Sequence, residues 1–217
     1  MPRLTPVTIA LLVALVLGFA AQMIFADPWV VAFALWPLDS ATVVPSPQGP
    51  LAIHFSPWQL VTYSFLHGGL LHLFVNAFAL WMFGPPIERL LGRGPFAFYW
   101  FVCVIGAAVA QLVTLRWTMA PDALVPTIGA SGGAFGVLLA FGMFYPRERI
   151  LLLIPPIPMP AWLFVTLYAA LELYLGATRE GSGVAHFAHL GGMLAGIVLI
   201  QYWRGRLPIK PRRILTR

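Results

Sequence analysis

Six long apolar stretches, separated by segments that hold nearly all of the charge, limit what this chain can fold into. They are Pro6–Phe25, Gly69–Phe83, Pro95–Leu115, Gly129–Tyr145, Ala161–Leu175 and Val184–Trp203. A hydrocarbon core about 30 Å thick calls for roughly 20 apolar residues per helical crossing. The second and fifth stretches fall short of that and are expected to extend into their flanks. In lipid every backbone polar group needs an internal partner, so only helices and closed barrels cross. These runs are continuous rather than alternating, which selects helices. With 60% hydrophobic and 9% charged residues and a mean hydropathy of +0.86, the chain lies far from the soluble norm of about one half apolar and one quarter charged. The expectation is an all-α, polytopic membrane protein. It is read as a bundle of six transmembrane helices in one domain over residues 1–217, with a basic tail over 204–217.

The basic residues orient it. Six spans put both termini on one side, and eleven of the thirteen basic residues fall there: Arg3, Arg89, Arg93, Arg147, Arg149 and the tail from Arg204 to Arg217. Only Arg116 and Arg179 fall opposite. The positive-inside rule then sets both termini in the cytoplasm of a multi-pass protein, with a bacterial inner membrane as the expected location. The net charge of +6 does not imply a nucleic-acid partner, because the cations sit at helix ends as lipid anchors. The first run is longer than the usual 7–15 residues of a signal h-region and is expected to stay as a membrane helix. Cys103, the one cysteine, reads as a packing residue. Between the first two runs, Trp29–Trp36 is apolar but too short to span, which suggests an interfacial element. Val44–Pro50, with three prolines, reads as coil.

Within these greasy runs a few polar side chains stand out. Gly129-Ala130-Ser131-Gly132 opens the fourth run and Ala188-His189-Leu190-Gly191-Gly192 lies early in the sixth. Leaving one buried polar group unpaired costs roughly 2–7 kcal/mol, and such groups at membrane depth point to function. Ser131 precedes Tyr145 by as many residues as His189 precedes Trp203, and Asn76 precedes Arg89 by one fewer. At 1.5 Å per residue, all three sit about 20 Å above the inner boundary. Gly132/Gly136 and Gly192/Gly196, small residues four apart, let helices four and six approach closely.

A serine and an imidazole at one level suggest a nucleophile and its general base. The plainer roles are a helix cap for Ser131 and an interhelical bond for His189. No aspartate is available at depth, so a dyad is expected. Phe135, one turn below Ser131, offers a ring for His189 to stack on, or simple core contact. His72 and Asn76, four apart on one helix face, can donate hydrogen bonds to a developing oxyanion, or serve only as interhelical glue. Metal is not expected: His67/His72 and His186/His189 lack H-E-x-x-H spacing and, on sequence, an acidic partner. Glu172, near the outer end of the fifth run, is expected to snorkel to the surface.

Taken together, Gly129-Ala130-Ser131-Gly132, His72-x-x-x-Asn76 and Ala188-His189-Leu190-Gly191-Gly192 resemble the rhomboid family of intramembrane serine proteases. Phe65-Leu66-His67-Gly68 before span two, and Phe83-Gly84 with Glu88 and Gly92 after it, add to the likeness. The resemblance implies Ser131 as nucleophile and His189 as base. It implies an oxyanion and substrate site drawn from His72, Asn76, Gly129, Phe135 and the Ser131 N–H, and a gate formed by span five and the loop Gly176–Gly183. It implies no cofactor or metal, membrane lipids as surroundings and single-span membrane proteins as substrates. Two departures stand out: Trp58-Gln59 where many members carry Trp-Arg, and Phe135 where some bacterial members carry tyrosine. The alternative function is a non-catalytic, rhomboid-like protein that binds membrane helices. A transporter would call for an inverted repeat, and none is visible.

Overall fold

The computed structural model describes residues 3–47, 49–118, 124–151, 157–178, 185–209 and 211. Six long helices dominate: α1 (Pro6–Phe33), α3 (Leu70–Leu91), α4 (Arg93–Thr118), α5 (Ser131–Phe144), α6 (Ala161–Thr178) and α7 (His186–Trp203), with the one-turn α2 at Gln59–Thr62. By length and composition four of them, α1, α3, α4 and α6, can cross a membrane unaided. α5 is a shorter apolar helix of 14 residues, and α7 carries two histidines and a glutamine in its 18 residues. The count of six spans therefore does not follow from helix length and hydropathy alone.

α5 is the central helix, and ten of its residues are buried. At its glycines the absence of a side chain lets its neighbours reach its backbone. A Cβ on Gly192 of α7 would overlap the Gly132 carbonyl of α5, and one on Gly136 would overlap the Cys103 sulfur of α4. Cys103 is fully buried against that glycine. In lipid, where water does not drive helices together, such close approach lets dispersion do so.

One end of the bundle gathers the start of α1 and the ends of α3, α5 and α7. Glu88 of α3 accepts hydrogen bonds from the backbone N–H groups of Val7 (2.9 Å) and Thr8 (2.8 Å) and from the hydroxyls of Thr8 (2.9 Å) and Thr5 (2.5 Å). A carboxylate thus caps the first turn of α1, whose N–H groups lack helical partners. The Tyr145 hydroxyl reaches the Pro86 carbonyl (3.5 Å), and Arg204 lies over the Phe144 ring at 4.8 Å.

The opposite end is closed by the long connection after α1. α1 bends at Ala26 (φ 49°, ψ −128°), two residues before Pro28. The apolar stretch expected at the interface is helical as far as Phe33, and Ala34, Leu35 and Trp36 are buried. Strands β1 (Ala41–Val44) and β2 (Leu51–His54) pair antiparallel, Ala41 opposite His54, so the coil expected after Val44 connects two paired strands. A second small hairpin, β3 (Arg149–Leu151) with β4 (Pro158–Pro160), joins α5 to α6.

The first connection is fastened at four places. Leu35 and Thr127 exchange backbone hydrogen bonds of 3.0 and 2.9 Å. The Gln22 amide bonds both the N–H and the carbonyl of His67 (2.9 Å each). Gln59, 1% exposed, accepts from the N–H groups of Ser56 (3.2 Å) and Trp36 (3.3 Å) and donates to the His54 carbonyl (3.2 Å). The Tyr63 hydroxyl donates to the Val104 carbonyl of α4 (2.8 Å). Burial, helped by Cys103, raises the Tyr63 pKa well above its usual range, so the phenol stays a donor.

Candidate active site

Gly129 delivers the chain to α5. It has φ +124°, and a Cβ there would lie 2.7 Å from His72 Cε1 and 2.8 Å from His72 Nε2. Only glycine suits both the backbone and the ring beside it. Its N–H donates to the Tyr63 carbonyl (3.0 Å), tying this turn to the fastened loop. Ser131 follows as the first residue of α5, one past the N-cap Ala130. It therefore sits where first-turn N–H groups have no helical acceptor and the helix dipole is positive.

The Ser131 Oγ lies 2.8 Å from His189 Nε2. His189 is in the first turn of α7 and 8% exposed. Its imidazole stacks on Phe135, with centroids 4.3 Å apart and planes 6° from parallel. Tyr168 of α6 stacks on the same Phe135 ring at 5.0 Å and 18°.

His72 Nδ1 accepts a hydrogen bond from the Gly68 N–H (3.2 Å). That leaves Nε2 as the protonated nitrogen of a neutral ring, on the side that faces Gly129. Asn76 is buried and donates from Nδ2 to the His72 carbonyl (2.9 Å), which uses one of its two amide hydrogens. His67, fully buried, meets His72 edge-on at 5.2 Å.

The structure corrects the sequence on one residue. Glu172 does not snorkel outward. It is 5% exposed, and its Oε2 lies 2.7 Å from His186 Nδ1 and 2.8 Å from His189 Nδ1. The two histidines do therefore have an acidic companion, and the three groups bring possible ligand atoms within 4.8 Å of one another. The signal was present: His186 and His189, three apart, share a helix face, and two inward-facing imidazoles need an acceptor. Of the loop Gly176–Gly183, residues 179–183 lie outside the described residues, as do residues 119–123 before the site, Val184 at the start of the sixth run and much of the basic tail. Gly176, at the end of α6, packs against His186 and Phe187.

A serine at a helix N-terminus, an imidazole hydrogen-bonded to it and a second imidazole beside the preceding Gly129 form a site fit for acyl transfer. Residues 54–206 match the Rhomboid domain, and the chain belongs to the rhomboid family. It is an integral, multi-pass membrane protein. Among curated relatives it is 36% identical over 138 residues to Rhomboid protein 1, mitochondrial, of Saccharomyces cerevisiae, which covers 62% of this chain and 38% of that protein. It is 33% identical over 157 residues to Presenilin-associated rhomboid-like protein A, mitochondrial, of Danio rerio (69% and 40%). With Rhomboid protease GluP of Bacillus subtilis it shares 28% over 139 residues (64% and 24%). The chain thus matches well under half the length of each.

Proposed function

We propose that this chain is an intramembrane serine endopeptidase that cuts transmembrane segments of other membrane proteins. The single observation that carries this reading is the 2.8 Å contact between Ser131 Oγ and His189 Nε2 at the start of α5. Ser131 attacks the scissile carbonyl as His189 takes the hydroxyl proton. The developing oxyanion is held by the Ser131 N–H, His72 Nε2–H and the second Asn76 amide hydrogen, each such donor contributing about 2.7–4 kcal/mol in known hydrolases. His189 returns the proton to the leaving amide nitrogen as the C–N bond breaks. Water then releases the acyl-enzyme. A relative bearing the name protease supports the reading.

The proposed topology is six spans in one domain over residues 1–217 with both termini in the cytoplasm. The basic residues support it, as does the gathering of the α1 start with the ends of α3, α5 and α7. α5, the short fourth span, begins below the outer surface, which brings Ser131 within reach of external water. The proposed membrane is the bacterial cell (inner) membrane, in keeping with the Bacillus relative. The mitochondrial names belong to the yeast and zebrafish proteins.

The test compares wild type with Ser131→Ala in proteoliposomes holding a single-span substrate, alongside labelling by a fluorophosphonate probe. Cleavage and labelling that both need Ser131 and His189 are expected. Cleavage by Ser131→Ala at the wild-type rate would end the proposal, whereas absence of both cleavage and labelling in the wild type would favour a helix-binding, non-catalytic role.

A further inference from the structure

α6 is thinly attached to the bundle. Of its 18 residues only Ala161, Val165 and Glu172 are buried, while Trp162, Leu167, Leu171, Leu173 and Tyr174 are exposed. The buried positions and Tyr168 form one stripe at spacings of three and four. Along it Val165 packs on Gly142 of α5, Tyr168 stacks on Phe135, and then comes Glu172. A carboxylate is the most expensive group to take out of water here, and an aliphatic side chain would pack a helix as well. This carboxylate instead meets two imidazoles of α7 through one oxygen.

We infer that Glu172 is a positioning residue for His189, and that through it the docked place of α6 becomes a condition of catalysis; the inference rests on the proteolytic reading above. An ionised carboxylate only accepts hydrogen bonds. The proton of the neutral His189 ring therefore sits on Nδ1, and the Nε2 lone pair is left for the Ser131 hydroxyl. As the Oγ–C bond forms and the carbonyl pair moves onto oxygen, the Ser131 proton passes to Nε2. The resulting imidazolium stands beside the Glu172 charge. The proton then leaves with the amine as the C–N bond breaks, and Glu172 stays ionised throughout. His186, one turn earlier on α7, holds the same oxygen and keeps the carboxylate at its post.

The experiment uses the full chain in proteoliposomes with a single-span substrate, comparing wild type, Glu172→Gln and Ser131→Ala. Glu172→Gln is expected to lower kcat by roughly 100-fold or more, as loss of the orienting acid does in serine hydrolases, with KM changed by less than about threefold. The acid limb of kcat/KM is expected to move to lower pH, since removing the negative charge disfavours the imidazolium. The titratable groups around His189 are Glu172 and Tyr168 on α6, His186 on its own helix and His72 on α3. A purely structural role would reduce folded protein without moving that limb. A variant with wild-type kcat and an unmoved limb overturns the inference. Histidine 15N NMR of wild type at neutral pH decides it independently of how the variant folds: a resting His189 protonated on Nδ1 supports it, and one protonated on Nε2 alone overturns it. Activity lost on dialysis against a chelator and restored by zinc also overturns it, because the three groups would then be metal ligands. If Ser131→Ala cleaves like wild type, the proteolytic reading itself has failed. If Ser131→Ala is inactive and only the Glu172 effect is missing, this inference alone falls.

Discussion

Phe135 and His189 lie face to face, 4.3 Å apart and 6° from parallel, across the seam between α5 and α7. The stack fixes the plane of the imidazole, and a base must hold both its plane and its distance for proton transfer to be efficient. Phe135→Tyr keeps the ring and should keep activity within about threefold of wild type. Phe135→Ala should lower kcat by about 10- to 100-fold and destabilise the protein by roughly 3 kcal/mol through the cavity it leaves. Substrate cleavage and the thermal unfolding midpoint in detergent report the two effects separately.

Gly129→Ala carries a sharper expectation. The new methyl meets the His72 ring at 2.7 Å, on a backbone with φ +124° that alanine rarely adopts. Either the ring or the turn must move. The ring is a proposed oxyanion donor and the turn sets the start of α5. Activity should fall by about 100-fold or more, the scale of losing one such donor. Labelling at Ser131 should slow with it. Because the strain is confined to one turn, the variant should still fold, with an unfolding midpoint lowered by only a few degrees.

How far the sequence carried can be judged at particular residues. All six long helices start within two residues of where hydropathy places them and α4 to α7 stop within three, because length in lipid is a strong constraint, whereas α1 and α3 each run eight residues further. The two hairpins are not legible in the sequence, because strands of three or four residues carry too little alternation to separate them from coil. The pairing of depths brought Ser131 and His189 to one level, since a helix converts residue count into height. Glu172 was misplaced for the same reason: near a helix end, height alone suggests water, and only the facing direction, set by the packing of α6 on α7, turns the carboxylate inward.

His67 predicts an acid instability. Burial, reinforced by the neighbouring His72, lowers its pKa to about 4. The unfolded chain takes up this proton near the ordinary value of about 6.5, and the folded protein resists it until about pH 4. Below the unfolded value the unfolded state binds more protons, so stability is fully present above about pH 6.5 and drains away as pH falls toward 4. The span corresponds to about 3 kcal/mol. His67→Phe removes the titration while filling the buried site. The stability difference between wild type and His67→Phe, followed by thermal unfolding from pH 7 to pH 4, should shift by about that amount in favour of the variant. A difference that stays constant with pH would mean that His67 does not remain neutral in the fold.

Gln59 stands where many family members carry arginine, and its contacts show how the first connection is fastened without a cation. One side-chain amide serves the backbone groups of Trp36, His54 and Ser56 in a place 1% exposed. Gln59→Ala leaves all three without that partner, and each buried polar group so abandoned costs about 1–3 kcal/mol. Water entering the vacated space would recover part of this, so a net loss of about 2–4 kcal/mol is expected. Gln59→Glu should be nearly as damaging, because it can accept from Trp36 and Ser56 but meets the His54 carbonyl with a second acceptor. The damage should be local first. Limited proteolysis should nick the chain between β1 and α3 before α4, α5 or α7 yields. Cleavage of substrate should fall with it, because Tyr63 in the same segment holds Gly129 at the head of α5. Unchanged proteolysis of that connection in Gln59→Ala would show that the Leu35–Thr127 pairing and the Gln22 clamp hold it without help.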